Sequence, residues 1–201
     1  MKVAILSMQQ IKNYGSFLQA FSLKKNIESL GHTCEFINII PGEQLEGYKT
    51  SCFYNIKLLF QRLWGWDFYK RFQTIFVFQN RFQKEFLPYL GVKKGINTKH
   101  YDVVVIGSDE VFNCTQKTWF GFSSQLFGKG LNASRIITYA ASFGATTIDK
   151  LQLVGKKEIV SSLLHDLDAI SVRDENSMKV IEELTGLSLI HISEPTRQAE
   201  I

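Results

Sequence analysis

The fold is decided by the stretch YDVVVIGSDEVFN, residues Tyr101–Asn113. Four consecutive aliphatic residues, 103–106, run directly into Gly-Ser-Asp-Glu. A short, wholly apolar and β-branched run predicts a strand that is buried on both faces, as in a parallel sheet. In open α/β sheets, ligands bind beyond the carboxyl ends of the strands. The polar residues that follow the run therefore indicate either a functional loop or an ordinary turn, since Gly, Ser, Asp and Asn also form turns.

Strand-like and helix-like segments alternate along the rest of the chain. The spacing predicts strands over 2–7, 34–40, 102–106, 135–141 and 168–172, and helices over 17–30, 151–167 and 175–184. Strands that alternate with helices predict a doubly wound α/β domain with a parallel sheet. The first strand, helix and second strand predict a right-handed crossover.

An aromatic-rich segment, Phe53–Leu90, interrupts this alternation. Its aromatic and aliphatic residues recur at helical spacing with Lys and Arg between them, which predicts two or three inserted amphipathic helices. These helices either pack their aromatic side chains on the domain core or form a face that docks on a membrane surface or a partner. The first alternative is the more common one.

Polar residues at the predicted strand ends supply the candidate site. After the first strand come Asn13-Tyr14-Gly15-Ser16, in which Ser16 is expected to cap the next helix and Gly15 to allow close backbone approach to an anion. Gly107, Ser108 and Asp109 follow the third strand, with Glu110 and Asn113 nearby, and Ser142 follows the fourth. Arg173 ends the last strand, where its guanidinium either binds a carboxylate or phosphate or pairs with Asp174 or Glu175.

Composition excludes several classes of function. The chain has 201 residues, 45% hydrophobic, with a formal net charge of +4 and no dense Lys/Arg block, so nucleic acid is not expected as a partner. Three widely spaced cysteines predict free thiols, and no His/Cys/Asp spacing predicts a metal site. His32, His100 and His165 are expected at the opposite end from the candidate loops, which disfavours a Ser-His-Asp hydrolase. No signal peptide or membrane span is predicted, so we expect a cytoplasmic protein.

The last fifteen residues, 187–201, are expected not to belong to the natural protein. LSLIHISEPTR at 187–197 resembles a translated transposase adapter from sequencing libraries. Segments of this origin are excluded from fold reasoning, and the remaining residues 1–186 form the predicted domain. We therefore expect the gene to continue past Gly186 into a C-terminal domain that this chain lacks.

Several short sequence motifs, taken together in their order and spacing, resemble the polysaccharide pyruvyl transferase family. They are NYGSFLQA at 13–20, LGH at 30–32, YD at 101–102, GSDEVFN at 107–113, YAASFG at 139–144 and ISVRD at 170–174. The resemblance covers almost all of residues 1–186. The family usually has Gln and Trp where this chain has Glu110 and Phe112, and often Glu in place of Asp174.

The resemblance implies transfer of a pyruvyl group from phosphoenolpyruvate to a sugar of a cell-surface polysaccharide, or to a lipid-linked precursor, forming a ketal. It implies no cofactor. It implies two Rossmann-like domains that face each other across a cleft, as in GT-B glycosyltransferases. The catalytic histidine and the basic residues that hold phosphoenolpyruvate are expected mainly in the second domain, and this chain is expected to be the acceptor-side domain. In that arrangement Asp109 or Glu110 would orient sugar hydroxyls, the 13–16 and 108–113 loops would line the cleft, and Arg173 would join the anion site.

Two other functions stay open from the residues alone. One is a glycosyltransferase of the same fold that uses a nucleotide-sugar. The other is a non-catalytic domain that binds a glycan or a biosynthetic partner through the aromatic segment, with peripheral association at the inner face of the membrane. Under any of the enzymatic alternatives, a cleft enzyme that lacks one wall cannot position both substrates, so this chain alone is expected to be inactive.

Overall fold

A computed structural model describes residues 1–47, 77, 80–92 and 99–187. Within these residues, four strands form one parallel sheet: β1 (Lys2–Leu6), β2 (Thr33–Phe36), β3 (Tyr101–Asp109) and β4 (Ala133–Ala141). The strand order is β2-β1-β3-β4. The predicted parallel α/β fold is therefore confirmed.

The central strands β1 and β3 are the most apolar, and for the 103–106 run of β3 the sequence predicted burial on both faces. Val3 to Leu6 pair in register with Val103 to Ile106. Alternate residues of these strands point to opposite faces of the sheet, and both faces are covered. Two hydrophobic clusters result, one on each face.

One face of the sheet is covered by α1 (Tyr14–Ser29) and by a short helical segment after it. That segment is a π-helical turn, Phe82–Phe86, which runs into α2 (Leu87–Leu90). The side chains that α1 contributes to this cluster, Phe17, Ala20, Leu23 and Ile27, recur at helical spacing and are buried. They pack against Val3, Ile5 and Val105 of the sheet and against Phe82 and Leu90.

The other face is covered by α3 (Ile148–Leu153), α4 (Lys157–His165) and α5 (Glu175–Thr185). Their buried apolar residues are Leu151, Val160, Leu163, Leu164, Val180, Ile181 and Leu184. A layer of aromatic residues, including Phe112, Phe127 and Phe143, fills the space above the end of β3. The helix predicted over 151–167 is thus two helices, because Gly155 adopts a left-handed backbone (φ +64°) between them.

The predicted strand over 168–172 was wrong in extent. Only Ala169 and Val172 form isolated parallel bridges to β4. Between them the Thr138 hydroxyl receives the Ser171 N–H (2.8 Å) and donates to the Ser171 carbonyl (2.9 Å), so a side chain replaces the regular ladder. Ala140, with φ +48°, adds a local break in the β4 backbone.

The second strand and the inserted helices also differ from expectation. β2 ends at Phe36 rather than at residue 40, because the Ile40 N–H and carbonyl bond to Gln125 (2.8 Å) and Ser123 (2.7 Å) instead of to a strand. Most of the predicted insertion 53–90 lies outside the described residues. The described part, 80–90, is helical and packs on α1, as the core-packing alternative predicted. No helix in the described part of the chain is long and apolar enough to cross a membrane.

Candidate functional site

The candidate site lies at the carboxyl ends of β1 and β3. The chain leaves β1 towards β2 on one side and leaves β3 towards β4 on the other. In open α/β sheets, this reversal of strand order opens the crevice in which ligands bind. The first turn of α1, the end of β3 and the residues after Val172 meet there through direct side-chain contacts.

The first turn of α1 is organised by Asn13, not by Ser16. The Asn13 carboxamide accepts the Gly15 N–H (2.7 Å), and the Asn13 carbonyl accepts the Phe17 N–H (3.0 Å), so the helix begins at Tyr14. The expectation that Ser16 caps the helix was therefore wrong. An N-cap side chain serves the first free N–H groups of a helix, and Ser16 lies one turn too late to do so.

Ser16 instead points towards β3. Its buried hydroxyl donates a 2.5 Å hydrogen bond to Asp109 Oδ2. Tyr14, two residues earlier, points elsewhere: its ring packs edge-on against Phe86 at 5.1 Å and tilts over Phe82 at 6.4 Å. The predicted NYGS loop thus divides into a cap, an aromatic contact and one side chain that faces the site.

Asp109 is held in an unusual backbone conformation. Its φ is +94°, in the left-handed region that a residue with a Cβ rarely adopts. Its carbonyl accepts the N–H groups of Val111 (2.8 Å) and Ser142 (3.0 Å), and its Oδ1 accepts the Glu110 N–H (2.9 Å). Backbone strain of this kind clusters at functional sites, because surrounding contacts must hold it in place.

Arg173 lies next to Asp109 but is not hydrogen-bonded to it. Its Nη2 is 3.6 Å from Asp109 Oδ1, an ion pair between side chains that are 24% and 16% exposed. Within the described residues its guanidinium donates no hydrogen bond. Asp174, one of the predicted alternatives for pairing, instead caps α5 by accepting the Ser177 N–H (2.8 Å). The guanidinium therefore carries unused donors at the edge of the crevice.

Gly107 and Ser108 belong to β3 itself rather than to the loop after it. Gly107 has φ +123°, and a Cβ there would lie 2.2 Å from the Tyr139 carbonyl oxygen on β4. Ser108 is buried, and its carbonyl accepts the Ser7 hydroxyl (2.9 Å) from the end of β1. These contacts fix β3 to β4 on one side and to the end of β1 on the other, directly before the strained Asp109.

Glu110 and Asn113 form a second polar pair beside Asp109. Glu110 Oε2 accepts the Asn113 side-chain N–H (2.7 Å). Asn113 Oδ1 in turn accepts from the Thr146 hydroxyl (2.9 Å) and the Thr115 N–H (3.2 Å). Gly144 makes room for the pair, because a Cβ on it would lie 2.5 Å from Glu110 Oε2.

Ser142 is a buried connecting residue. Its N–H donates to the Asp109 carbonyl, its carbonyl accepts the Phe112 N–H (3.0 Å), and its hydroxyl accepts the Gly144 N–H (2.9 Å). It holds the loops after β3 and β4 together and presents no group to the crevice. Ser7, Gly144 and Thr146 were not predicted as site residues, although Gly144 stands in the YAASFG motif at 139–144.

The remaining reactive side chains lie away from this site. No cluster of His, Cys, Asp and Glu in the described residues could hold a metal ion. His100 bonds Asn132 (3.0 Å) and Ser134 (3.1 Å) at the amino ends of the strands, where the sequence placed it. Burial raises the pKa of the Cys114 thiol to about 12 and that of Cys34 to about 11, so both stay protonated and unreactive at neutral pH.

One comparison with known proteins gives a match. A family model described as polysaccharide pyruvyl transferase matches residues 13–194, which covers most of the chain and confirms the resemblance seen in the sequence. No curated protein sequence matches, and no solved structure matches. The matched range includes the cap, β3 with its polar end, and Arg173.

Proposed function

Because this chain belongs to the polysaccharide pyruvyl transferase family, we propose that it serves the transfer of a pyruvyl group from phosphoenolpyruvate to a sugar of a cell-surface polysaccharide. Family membership indicates a transferase with a polysaccharide acceptor. The donor, the ketal product and a lipid-linked form of the acceptor at the inner face of the membrane are parts of the proposal.

The state of Arg173 carries this proposal. The Arg173 side chain is 24% exposed, and its guanidinium donates no hydrogen bond within the described residues, so its N–H groups are available to a ligand. Its planar fork matches a carboxylate or a phosphate, and phosphoenolpyruvate carries both groups. The amino end of α1 lies on the same side, since Ser16 of its first turn reaches Asp109. The positive end of the helix dipole adds to the attraction of an anion.

The two acidic residues at the end of β3 are suited to different roles. Both oxygens of Asp109 already accept hydrogen bonds within the chain. Glu110 uses only Oε2, for Asn113, and Oε1 has no hydrogen-bond partner among the described residues. We assign Glu110 to accept a hydrogen bond from an acceptor hydroxyl, and Asp109 to hold the site in place, since carboxylates bind hydroxyl donors well.

The proposed reaction needs one acid and one cationic site. An acceptor hydroxyl bonds through its oxygen to C2 of phosphoenolpyruvate and gives up its proton, while the acid gives a proton to C3, which becomes a methyl group. The C2–O bond to phosphate then breaks, phosphate leaves with the electron pair, and a second hydroxyl closes the ketal and gives up its proton. Arg173 would stabilise the charge on the donor and on the leaving phosphate. The general acid is expected from the second domain that the family resemblance implies.

The strand order supports a place for this chain in a two-domain enzyme. A crevice at the reversal of strand order is open on one side until a second element covers it. We therefore propose a Rossmann-like half of a GT-B-like arrangement, which binds the donor but does not turn it over without the opposing wall.

Donor binding to the chain tests the proposal and separates it from a nucleotide-sugar enzyme. Isothermal titration calorimetry would compare phosphoenolpyruvate with a uridine diphosphate-sugar at low ionic strength. We expect measurable heat of binding for phosphoenolpyruvate and none for the nucleotide-sugar. The opposite preference would replace this function with glycosyl transfer, and binding of neither ligand would overturn the assignment of Arg173 to the donor.

A further inference from the structure

Asp109 and Arg173 are close enough to attract each other but do not form the contact that such pairs usually form. An arginine and a carboxylate in a favourable geometry make two parallel hydrogen bonds of about 2.7–2.9 Å. Here the shortest approach is 3.6 Å, from Nη2 to Oδ1. Something in the structure keeps the two groups apart.

The Ser16 hydroxyl is placed to keep these two groups apart. It donates to Asp109 Oδ2 at 2.5 Å, which turns this oxygen towards α1 and away from Arg173. Oδ1 accepts the Glu110 N–H at 2.9 Å. With one donor on each oxygen, the carboxylate is held in an orientation in which Oδ1 comes no closer than 3.6 Å to the guanidinium.

The backbone of Asp109 is fixed, so only its side chain can move. Its carbonyl is fixed by Val111 and Ser142, and its backbone is held at φ +94° by the end of β3. Rotation about the side-chain bonds is therefore the motion by which the carboxylate would approach Arg173. One hydrogen bond from α1 opposes that rotation.

We propose that Ser16 is a positioning residue: by donating its hydroxyl to Asp109, it keeps this carboxylate from closing on Arg173 and leaves the guanidinium open to an anionic ligand. For the identity of that ligand, phosphoenolpyruvate, the inference rests on the proposed function. The positioning role itself rests only on the contacts among Ser16, Asp109 and Arg173.

The consequence is a specific pattern among variants. In Ser16→Ala, Oδ2 loses its donor, and the cation that pairs with Asp109 among the described residues is Arg173. The carboxylate therefore closes on the guanidinium, whose N–H groups are then no longer available to a ligand. In Ser16→Ala/Asp109→Asn the side chain has no negative charge, the closure does not occur, and Arg173 is open again. Ser16→Thr keeps the hydroxyl and should behave as the unaltered chain does.

The chemical accessibility of Arg173 measures this pattern without any ligand. The chain would be treated with phenylglyoxal, an arginine-selective dicarbonyl, and the modification rate of Arg173 would be followed by peptide mass spectrometry relative to the exposed Arg135. We expect the Arg173 rate to fall about tenfold in Ser16→Ala, the effect of one charge-assisted hydrogen bond pair. It should return to the original value in the double variant. Ser29→Ala, at the far end of α1, is the matched control.

Unfolding cannot imitate the expected result, because it would raise the rate at Arg173 instead of lowering it. An unchanged rate in Ser16→Ala, or a low rate that persists in the double variant, would overturn the positioning role. Protection of Arg173 by phosphoenolpyruvate in the unaltered chain tests the proposed function separately. If the variants follow the pattern but phosphoenolpyruvate gives no protection, the donor assignment fails and the role of Ser16 stands.

Discussion

Gly107→Ala should be among the most destabilising single changes in this chain. A Cβ at this position would lie 2.2 Å from the Tyr139 carbonyl oxygen, 1.2 Å short of the 3.4 Å at which ordinary contact begins. The added Cβ would clash with backbone atoms of Tyr139, which cannot rotate away as a side chain could. The strands β3 and β4 would therefore have to separate where Gly107 pairs with Tyr139. Overpacking of this kind costs about 1–3 kcal/mol, and a left-handed backbone in a residue with a Cβ costs about 1–3 kcal/mol more.

The magnitude translates into a clear thermal shift. A total loss of about 2–6 kcal/mol should lower Tm by roughly 4–24 °C in a domain of this size, at about 2–4 °C per kcal/mol. Thermal unfolding followed by circular dichroism would measure it. Gly130→Ala is the matched control, because Gly130 also has a positive φ (+76°) but no atom within 4 Å of its added Cβ. If Gly107→Ala lowers Tm no more than Gly130→Ala does, the close approach of the two strands at this point is wrong.

Three further predictions concern single side chains. Asn13→Ala should cost about 1 kcal/mol of unfolding free energy, measured by urea denaturation, because it removes the cap of α1, whereas Asn13→Ser should restore most of it. Ser177→Ala should cost about 1–3 kcal/mol in the same assay, because it leaves the buried Phe143 N–H (2.7 Å to Ser177 Oγ) without an acceptor. Burial raises the pKa of the Cys114 thiol from 9.0 to about 12 in the folded chain. The unfolded chain therefore loses this proton at a lower pH than the folded chain does, and the free energy of unfolding should fall as pH rises from 9 towards 12. Thermal unfolding at pH 8 and pH 10 checks this, and Cys114→Ala should reduce the loss.

Each of these has an outcome that would contradict it. An Asn13→Ala variant as stable as the unaltered chain would mean that the cap is not made in solution. An unchanged stability in Ser177→Ala would mean that water or another group reaches the Phe143 amide. Equal loss of Tm between pH 8 and pH 10 with and without Cys114 would assign the alkaline effect to other groups.

The sequence predicted the sheet well because its central strands are decided by local composition. The apolar runs at 3–6 and 103–106 have no other satisfactory environment than a sheet covered on both faces. The strand at 168–172 failed because a tertiary contact, the Thr138 hydroxyl on Ser171, replaces the regular ladder. No local pattern shows such a contact in advance.

The candidate site was predicted in position but not in detail. Parallel strands place their carboxyl ends at one edge, so the loops after β1, β3 and β4 were expected to meet. The hydrogen bonds and ion pairs of the site were not predictable from the sequence. They depend on the left-handed backbone of Asp109 and on which side of α1 faces the sheet. Ser16 therefore faces Asp109 instead of capping its helix, and Arg173 faces Asp109 instead of Asp174.

In the proposed function, Arg173 receives the anionic donor at the carboxyl edge of the sheet. Isothermal titration calorimetry with phosphoenolpyruvate would compare the unaltered chain with Arg173→Gln and with Arg135→Gln, which removes the same charge from an exposed position on β4. We expect Arg135→Gln to bind as the unaltered chain does and Arg173→Gln to lose at least about tenfold in affinity, the effect of one charge-assisted contact. Equal affinity of Arg173→Gln and Arg135→Gln for phosphoenolpyruvate would contradict this role of Arg173.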